Sequence, residues 1–126
     1  MKIKVSTATG PALDWMVAKC EGALFPLGNV VLDRKQLLIT IGGNTDEDEF
    51  VIYAPTTNWA QGGPIIEREK IDIFHQDNGF SGAIEMATRK NPHPTPYYGE
   101  TDLVAAMRTY VASKLGEEVD VPEELT

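Results

Sequence analysis

The sequence has one cysteine, Cys20, and only two histidines, and it has no apolar run near the length of about 20 residues that crosses a bilayer. One cysteine excludes an internal disulfide, which suits a reducing compartment. The first residues, MKIKVSTATG, lack the apolar stretch of a secretion signal. These absences exclude a disulfide scaffold and a membrane partner, and they predict a cytoplasmic protein.

Sequence patterns that indicate catalysis are also missing. Neither GxxxxGK[ST] nor GxGxxG occurs, and the glycine pairs in IGGN and AQGGP have spacings typical of turns. The acidic run NTDEDE resembles a calcium loop, but Glu49 stands where the sharp turn needs glycine. His75, His93 and Cys20 are too far apart for a zinc motif. We therefore predict no catalytic residue, no metal, no cofactor and no enzymatic activity.

Acidic residues, in contrast, are abundant. The net charge is −8, and clusters of carboxylates occupy residues 46–49 and the C-terminal tail, about 117–126. Such a surface repels nucleic acid, so direct binding to a duplex is not expected. A few placed cations can still bind a small anion, because salt screens the mean field beyond about 10 Å.

The chain length predicts a single domain covering residues 1–126. Strands are predicted for KIKV, NVVLD, QLLITIG, EFVIYA, KIDIFHQ and GFSGAIEMA. One helix is predicted from Pro11 to Gly22 and a second from Thr101 to Gly116. The expected fold is α+β, with a mostly antiparallel sheet of about five to six strands and two helices packed against it.

Both predicted helices have a distinct apolar face. The first places Leu13, Met16, Val17 and Cys20 together, and Trp15 falls outside that face, beside Lys19. The second carries small residues on the side opposite its apolar face, including Ala105, Thr109, Ala112 and Ser113. A loop or another subunit is expected to cover a face of this kind, so a homo-oligomer fits the pattern. The tail is expected either to dock through Val119, Val121 and Leu125 or to fray.

The stretch NWAQGGPIIEREK, residues 58–70, has two interpretations. In the first, Gly62 and Gly63 with the following proline form a tight turn, Trp59 offers a flat apolar face, Gln61 offers a donor and an acceptor, and Arg68 offers a planar cation. These groups suit a pocket for a nucleotide-like ligand. In the second, Trp59 is a core residue under a tight corner, and Glu67 to Lys70 follow a strand at the solvent edge.

Three other residues extend the candidate site. Trp15 lies off its helix face, Arg108 lies at the border of the second helix's apolar face, and Tyr98 follows Tyr97 in the proline-rich segment, which is predicted to be an irregular loop. Each alone suits a structural role. Together they exceed the aromatic and arginine side chains that a core requires.

Several motifs resemble the NinX-type family of small bacteriophage proteins. They are LDWMVAKCEG, NWAQGGPIIERE and LVAAMRTYVASKLGEEVDVPEEL, which together span nearly the whole chain. The family has no established activity, so the resemblance implies phage origin and expression inside a bacterial cell, and it transfers no catalytic residue. The chain departs from the family pattern at YYGETDLVAAMR and GFSGAIEM.

Two functions follow as the leading hypotheses, and an enzyme is a third, for which the sequence offers no nucleophile–base pair or metal set. The first is a non-enzymatic binding protein that captures a small nucleotide-like ligand, such as a host immune signal. The second is an acidic interaction protein that occludes a host protein, as an inhibitor of host defence or an agent of host takeover. A ligand binder is expected to hold Trp59 and an arginine in one concave pocket, whereas an occluding protein is expected to bury Trp59.

Overall fold

The computed structural model describes residues 1–21, 30–33, 36–41, 49–77, 79–84 and 97–125. Within them the chain forms three α-helices: α1 (Gly10–Cys20), α2 (Trp59–Glu69) and α3 (Asp102–Leu115). The strands are β1 (Lys2–Lys4), β2 (Val30–Asp33), β3 (Gln36–Ile41), β4 (Glu49–Ile52), β5 (Ile71–Gln76), β6 (Gly79–Ile84), β7 (Tyr97–Gly99) and β8 (Glu118–Asp120). Short 3-10 turns follow β1 and β8 at Val5–Thr7 and Glu123–Leu125.

The predicted α+β class and antiparallel pairing are confirmed, but the strands do not form one sheet. In the described residues they form three small sheets, in the orders β1-β8, β2-β3-β4 and β5-β6-β7. Every pair is antiparallel. The helix α2 lies between β4 and β5 in the chain, and so it separates the two three-stranded meanders. A hairpin at this place would have joined them into one antiparallel sheet.

The helix α1 forms as its sequence predicts. Pro11 lies in the first turn, where a missing backbone N–H leaves no hydrogen bond unmade. Leu13, Met16 and Val17 are fully buried and Cys20 is half-buried. The helix ends at Cys20, and Gly22, its predicted end, lies outside the described residues.

The helix α3 also begins and ends as predicted, and it is the centre of the fold. The Thr101 hydroxyl accepts a hydrogen bond from the Val104 N–H at 3.1 Å, which caps the first turn. At the other end Gly116 has a φ of +89°, a conformation that favours glycine. The helix contacts α1 and α2 on one side and the β5-β6-β7 sheet on the other.

The sheet of β5, β6 and β7 covers part of the small-residue face of α3, at Ala105 and Thr109. A Cβ on Gly82 would lie 2.6 Å from the Thr109 hydroxyl oxygen, and a Cβ on Gly99 would lie 2.9 Å from Val104 Cγ1. The glycines of β6 and β7 therefore let the sheet approach the helix closely. This contact accounts for Ala105 and Thr109, whereas Ala112 is half-buried and Ser113 is exposed, and the homo-oligomer stays a prediction.

The predicted turn at Gly62 and Gly63 is wrong, because both glycines lie inside α2. The Asn58 side chain accepts a hydrogen bond from the Ala60 N–H at 2.9 Å and begins the helix, which continues through Pro64. It ends where Lys70 adopts a left-handed φ of 54°. The solvent-edge strand predicted for Glu67 to Lys70 is also wrong, because α2 continues through Glu69 and buries Ile65 in the core.

Two C-terminal features complete the fold. Tyr97–Gly99 forms β7 against β6, so the prediction of an irregular loop is wrong for these residues. The tail docks, because β8 pairs with β1 and the side chains of Val119, Val121 and Leu125 are buried. The rest of the proline-rich segment, with His93, and the acidic segment 42–48 lie outside the described residues. None of the helices in the described ranges has the length and apolar character to span a membrane.

Candidate ligand-binding cleft

A cleft of about 370 Å³ lies between β7 and the β1-β8 pair, above α3. Its size falls within the range of small-molecule pockets, roughly 300–1,000 Å³. The described residues of its lining are two cations, two carboxylates, two tyrosines and a serine: Lys4, Ser6, Tyr97, Tyr98, Arg108, Glu117 and Glu118.

Local structure at the ends of three elements places these groups. Lys4 ends β1, and Ser6 follows in the 3-10 turn that the buried Val5 anchors to the core. The positive φ of Gly116 turns the chain from α3 into β8 and brings Glu117 to the cleft. The Val5 N–H then donates to the Glu117 carbonyl oxygen at 2.8 Å, which joins the end of β1 to the start of β8.

Arg108 links the two walls of the cleft. Its Nε donates to the Ala8 carbonyl oxygen at 3.0 Å, and its Nη1 donates to the Tyr98 carbonyl oxygen at 2.7 Å. Burial lowers the pKa of the guanidinium while nearby Glu100 opposes this, and the group remains charged at neutral pH. A guanidinium has five N–H groups. The hydrogen bonds of Arg108 within the described part of the chain engage only Nε and Nη1, with neutral carbonyls, which leaves donors and a positive charge available to a ligand.

The tyrosines and carboxylates give the cleft its recognition surface. Tyr98 is 56% exposed, whereas Tyr97 packs partly against the core. Burial, together with the charge of Glu117, raises the pKa of the Tyr97 hydroxyl, which therefore remains a hydrogen-bond donor at neutral pH. Lys4 and Glu118 are opposite each other in the β1-β8 register, so they share one face of that pair.

The structure does not bring Trp59 and Arg68 together. Nine residues of α-helix separate them by about 14 Å along the axis and place them on roughly opposite faces. Trp59 is 52% exposed at the start of α2, and its ring covers Gly63, where an added Cβ would lie 3.5 Å from Trp59 Cε3. Trp59 is therefore not buried, and it has no arginine beside it within the described ranges, so it is not where either hypothesis expects it.

Gln61 and Gly62 are held by structural contacts. The Gln61 side chain accepts a hydrogen bond from the Ala54 N–H at 2.6 Å and donates to the Ile52 carbonyl oxygen at 2.9 Å. Gly62 faces the core, where an added Cβ would meet the Pro55 carbonyl oxygen and Leu103. These two residues fasten α2 to the segment that follows β4.

Arg68 is engaged by side chains of the protein. Its Nη2 donates to Glu21 at 2.8 Å and to the Tyr110 hydroxyl at 3.2 Å, and its Nε donates to Glu69 at 2.9 Å. The guanidinium also lies 5.8 Å from the centre of the Tyr110 ring. Glu21 is only 7% exposed, so Arg68 supplies the cation that a buried carboxylate needs.

Trp15 lines a second cleft, of about 340 Å³, near the N-terminus. The Lys19 ammonium lies 5.3 Å from the centre of its ring, which confirms that these residues are neighbours. The terminal amine pairs with Asp120 at 2.7 Å in the same region. Because these cations already contact a ring and a carboxylate, this cleft provides less positive charge for an anion than the cleft around Arg108 does.

Of the predicted site residues, only Arg108 and Tyr98 share a described cleft. Sequence reasoning noticed Tyr97 but left it out of the site, and it missed Lys4, Ser6, Glu117 and Glu118. Gly116 was the available signal for a turn before the glutamates. No local signal showed that this turn would face the end of β1, since the pairing joins opposite ends of the chain.

Other reactive groups lie outside the cleft. Burial, reinforced by Glu21, raises the pKa of the Cys20 thiol to about 12, so the reactive thiolate is scarcely populated at neutral pH. His75 is exposed and its ring lies 5.0 Å from that of Phe80. In the part of the chain that the structure describes, no group of three histidine, cysteine or acidic side chains is arranged to hold a metal ion.

Most of the residues that line the cleft belong to the part of the chain that matches a known protein family. The family model described as "Bacteriophage P22, NinX" matches residues 4–114. This range includes Lys4, Tyr98 and Arg108, whereas Glu117 and Glu118 lie beyond it. None of the curated protein sequences compared with the chain matches it.

Proposed function

The chain belongs to the family of bacteriophage P22 NinX, and from this premise we propose that it is a phage accessory protein that binds a small nucleotide-like ligand without turnover. The observation that carries the proposal is Arg108, a cation held between two walls by neutral carbonyls and placed beside exposed Tyr98. A guanidinium suits a phosphate oxygen and a tyrosine ring suits a base, which together make a nucleotide the matching ligand.

The cleft is suited to binding without chemical conversion. Among the residues that the structure describes, Ser6 is the only aliphatic hydroxyl in the lining, and the lining includes no histidine or cysteine. Nucleophilic catalysis needs a hydroxyl or thiol within hydrogen-bond reach of a base, and the described lining does not assemble such a pair around Ser6. A phage protein that holds a nucleotide in this way would act by lowering its free concentration in the bacterial cytoplasm. A host immune signal is the ligand that this action suits.

Calorimetry with nucleotides and cyclic oligonucleotides tests the proposal. The informative variant is Tyr98→Ala, which removes an exposed ring but keeps the backbone carbonyl that Arg108 contacts. Loss of one stacking contact is expected to weaken binding by about tenfold, since stacking on an aromatic residue contributes about 1–3 kcal/mol.

Trp59→Ala is the matched control, because it removes an exposed aromatic ring outside the cleft. We expect it to bind like the unaltered protein. Absence of heat with every nucleotide, from a folded sample, contradicts the proposal. Weaker binding in Trp59→Ala with normal binding in Tyr98→Ala would indicate that the ligand binds at α2 and not in this cleft.

A second function, occlusion of a host protein, is favoured by the charge of the C-terminal segment. Glu117, Glu118, Asp120 and Glu123 are all exposed there, on a chain with a net charge of −8. Such a surface complements a basic partner and accelerates its association. Capture experiments from bacterial lysate at low and high salt test this function. A partner recovered at low salt and released at high salt supports occlusion, and recovery of none at low salt opposes it.

A further inference from the structure

The charges lining the cleft indicate which nucleotides it accepts, provided that the proposed function is correct. Lys4 and Arg108 contribute two positive charges, and Glu117 and Glu118 contribute two negative ones. Among the described residues the lining is therefore neutral in sum, unlike a polyphosphate site, which concentrates cations and backbone N–H groups. A ligand must satisfy the guanidinium without carrying further charge towards the carboxylates.

The positions of these groups sharpen this requirement. Arg108 has no carboxylate within ion-pair distance among the described residues, so one anionic group of a ligand has a partner there. The charge of Glu117 acts on the Tyr97 hydroxyl, and Glu118 faces Lys4 across the β1-β8 pair. A second phosphate extending from Arg108 towards β8 would approach these carboxylates.

We infer that the cleft selects nucleotides with a phosphodiester, which carries a single negative charge, over nucleoside polyphosphates. The chemical class is that of cyclic mononucleotides and other nucleotides whose one phosphate is a diester. Glu117 and Glu118 are the specificity residues, since they repel each added phosphate. Arg108 sets the lower limit of the ligand's negative charge, because a neutral nucleoside leaves the guanidinium charge without a partner.

A series of ligands that share one nucleoside tests the inference. Affinities for adenosine, 3′,5′-cyclic AMP, AMP, ADP and ATP would be measured by calorimetry in one buffer. Cyclic AMP is expected to bind most tightly, and ATP at least about tenfold more weakly, because unit charges about 4 Å apart repel by roughly 1–4 kcal/mol near a protein surface. Adenosine is expected to bind more weakly than cyclic AMP.

The variant Glu117→Gln/Glu118→Gln identifies the cause of the preference. It is expected to bring the affinities for ATP and cyclic AMP to within a few-fold of each other. Glu67→Gln is the matched control, because it removes one exposed carboxylate on α2 away from the cleft, and its preference should equal that of the unaltered protein.

The outcomes separate this inference from the function on which it rests. ATP binding as tightly as cyclic AMP, or an unchanged preference in the double variant, overturns the selectivity and leaves nucleotide binding intact. Failure of all five ligands, together with the cyclic oligonucleotides, removes the proposed function and the selectivity with it.

Discussion

Asp14 is a carboxylate buried at the contact between α1 and the turn before α2. It is 5% exposed, and its Oδ1 accepts hydrogen bonds from the Thr56 N–H at 3.0 Å and from the Thr56 hydroxyl at 2.7 Å. Burial raises the pKa of this carboxyl from 3.8 to about 6, although the hydrogen bonds from Thr56 oppose the shift. At neutral pH the protein therefore holds a charge that its surroundings disfavour.

We predict that Asp14 makes the stability of the protein decrease as the pH rises. The folded state binds this proton more tightly than the unfolded chain, so the contribution is complete below about pH 4 and is lost as the pH rises through about 6. The free energy of unfolding of the unaltered protein should fall by up to about 3 kcal/mol between pH 4 and 7.5, measured relative to Asp14→Asn.

Urea unfolding of both proteins across this range gives the difference curve. Other carboxylates are common to both proteins, so their contributions to the pH dependence of the free energy of unfolding largely cancel in the difference. One of them is Glu69, where burial opposes ionisation but hydrogen bonds from Arg68 and Lys114 outweigh it and lower the pKa. A difference that is constant across the range contradicts the assignment of the raised pKa to Asp14.

Local sequence did not reveal the burial of Asp14. The position lies next to apolar Leu13 on α1, but its hydrogen-bond partner Thr56 is 42 residues away. The same limit applied to Arg68, whose buried partner Glu21 is 47 residues distant. The sequence indicated Arg68 as a planar cation but did not single out Glu21, because their contact depends on packing between separate elements.

At the scale of elements, predictions succeeded where the signal was local. The helices α1 and α3 carry proline in the first turn or a threonine cap, and the strands carry alternating or β-branched patterns. The helix α2 failed because two glycines and a proline dominate local expectation. Its actual determinants are the Asn58 cap and contacts with Pro55 and Leu103, of which only the cap is local.

The two glycines of α2 are predicted to respond oppositely to alanine. Gly62→Ala should destabilise the protein by about 1–3 kcal/mol, because the added methyl group would overlap the Pro55 carbonyl oxygen and would lie 2.7 Å from Leu103 Cδ2. Gly63→Ala should stabilise it by about 0.5–1 kcal/mol, since among the described residues its Cβ meets the Trp59 ring alone, at an ordinary 3.5 Å, and alanine favours a helix.

Chemical denaturation of the two variants decides this, each serving as the control for the other. A turn at these positions would make their effects similar, whereas a helix with one face on the core makes them opposite. Equal destabilisation by both substitutions would contradict the placement of Gly63 on the outer face.

At the scale of the whole molecule, the cleft depends on the meeting of the two chain ends. Beyond the β1-β8 ladder, the Val121 N–H donates to the Met1 carbonyl oxygen at 2.9 Å. The ion pair between the terminal amine and Asp120 is exposed and contributes little to stability. The buried side chains of β8 and the following turn hold the ends together, and with them one wall of the cleft.

Removal of residues 117–126 is therefore predicted to unfold the protein, although the family match ends at residue 114. The deletion takes away the buried side chains of Val119, Val121 and Leu125. At about 1.5–3 kcal/mol for each, the loss is roughly 5 kcal/mol or more, which approaches the total stability of a typical domain. Circular dichroism should show lost structure.

Glu118→Ala in the full chain, which removes an exposed side chain from the same strand, should unfold at nearly the unaltered temperature. A truncated chain that melts like the full one would mean that α3 and the sheets fold without β8.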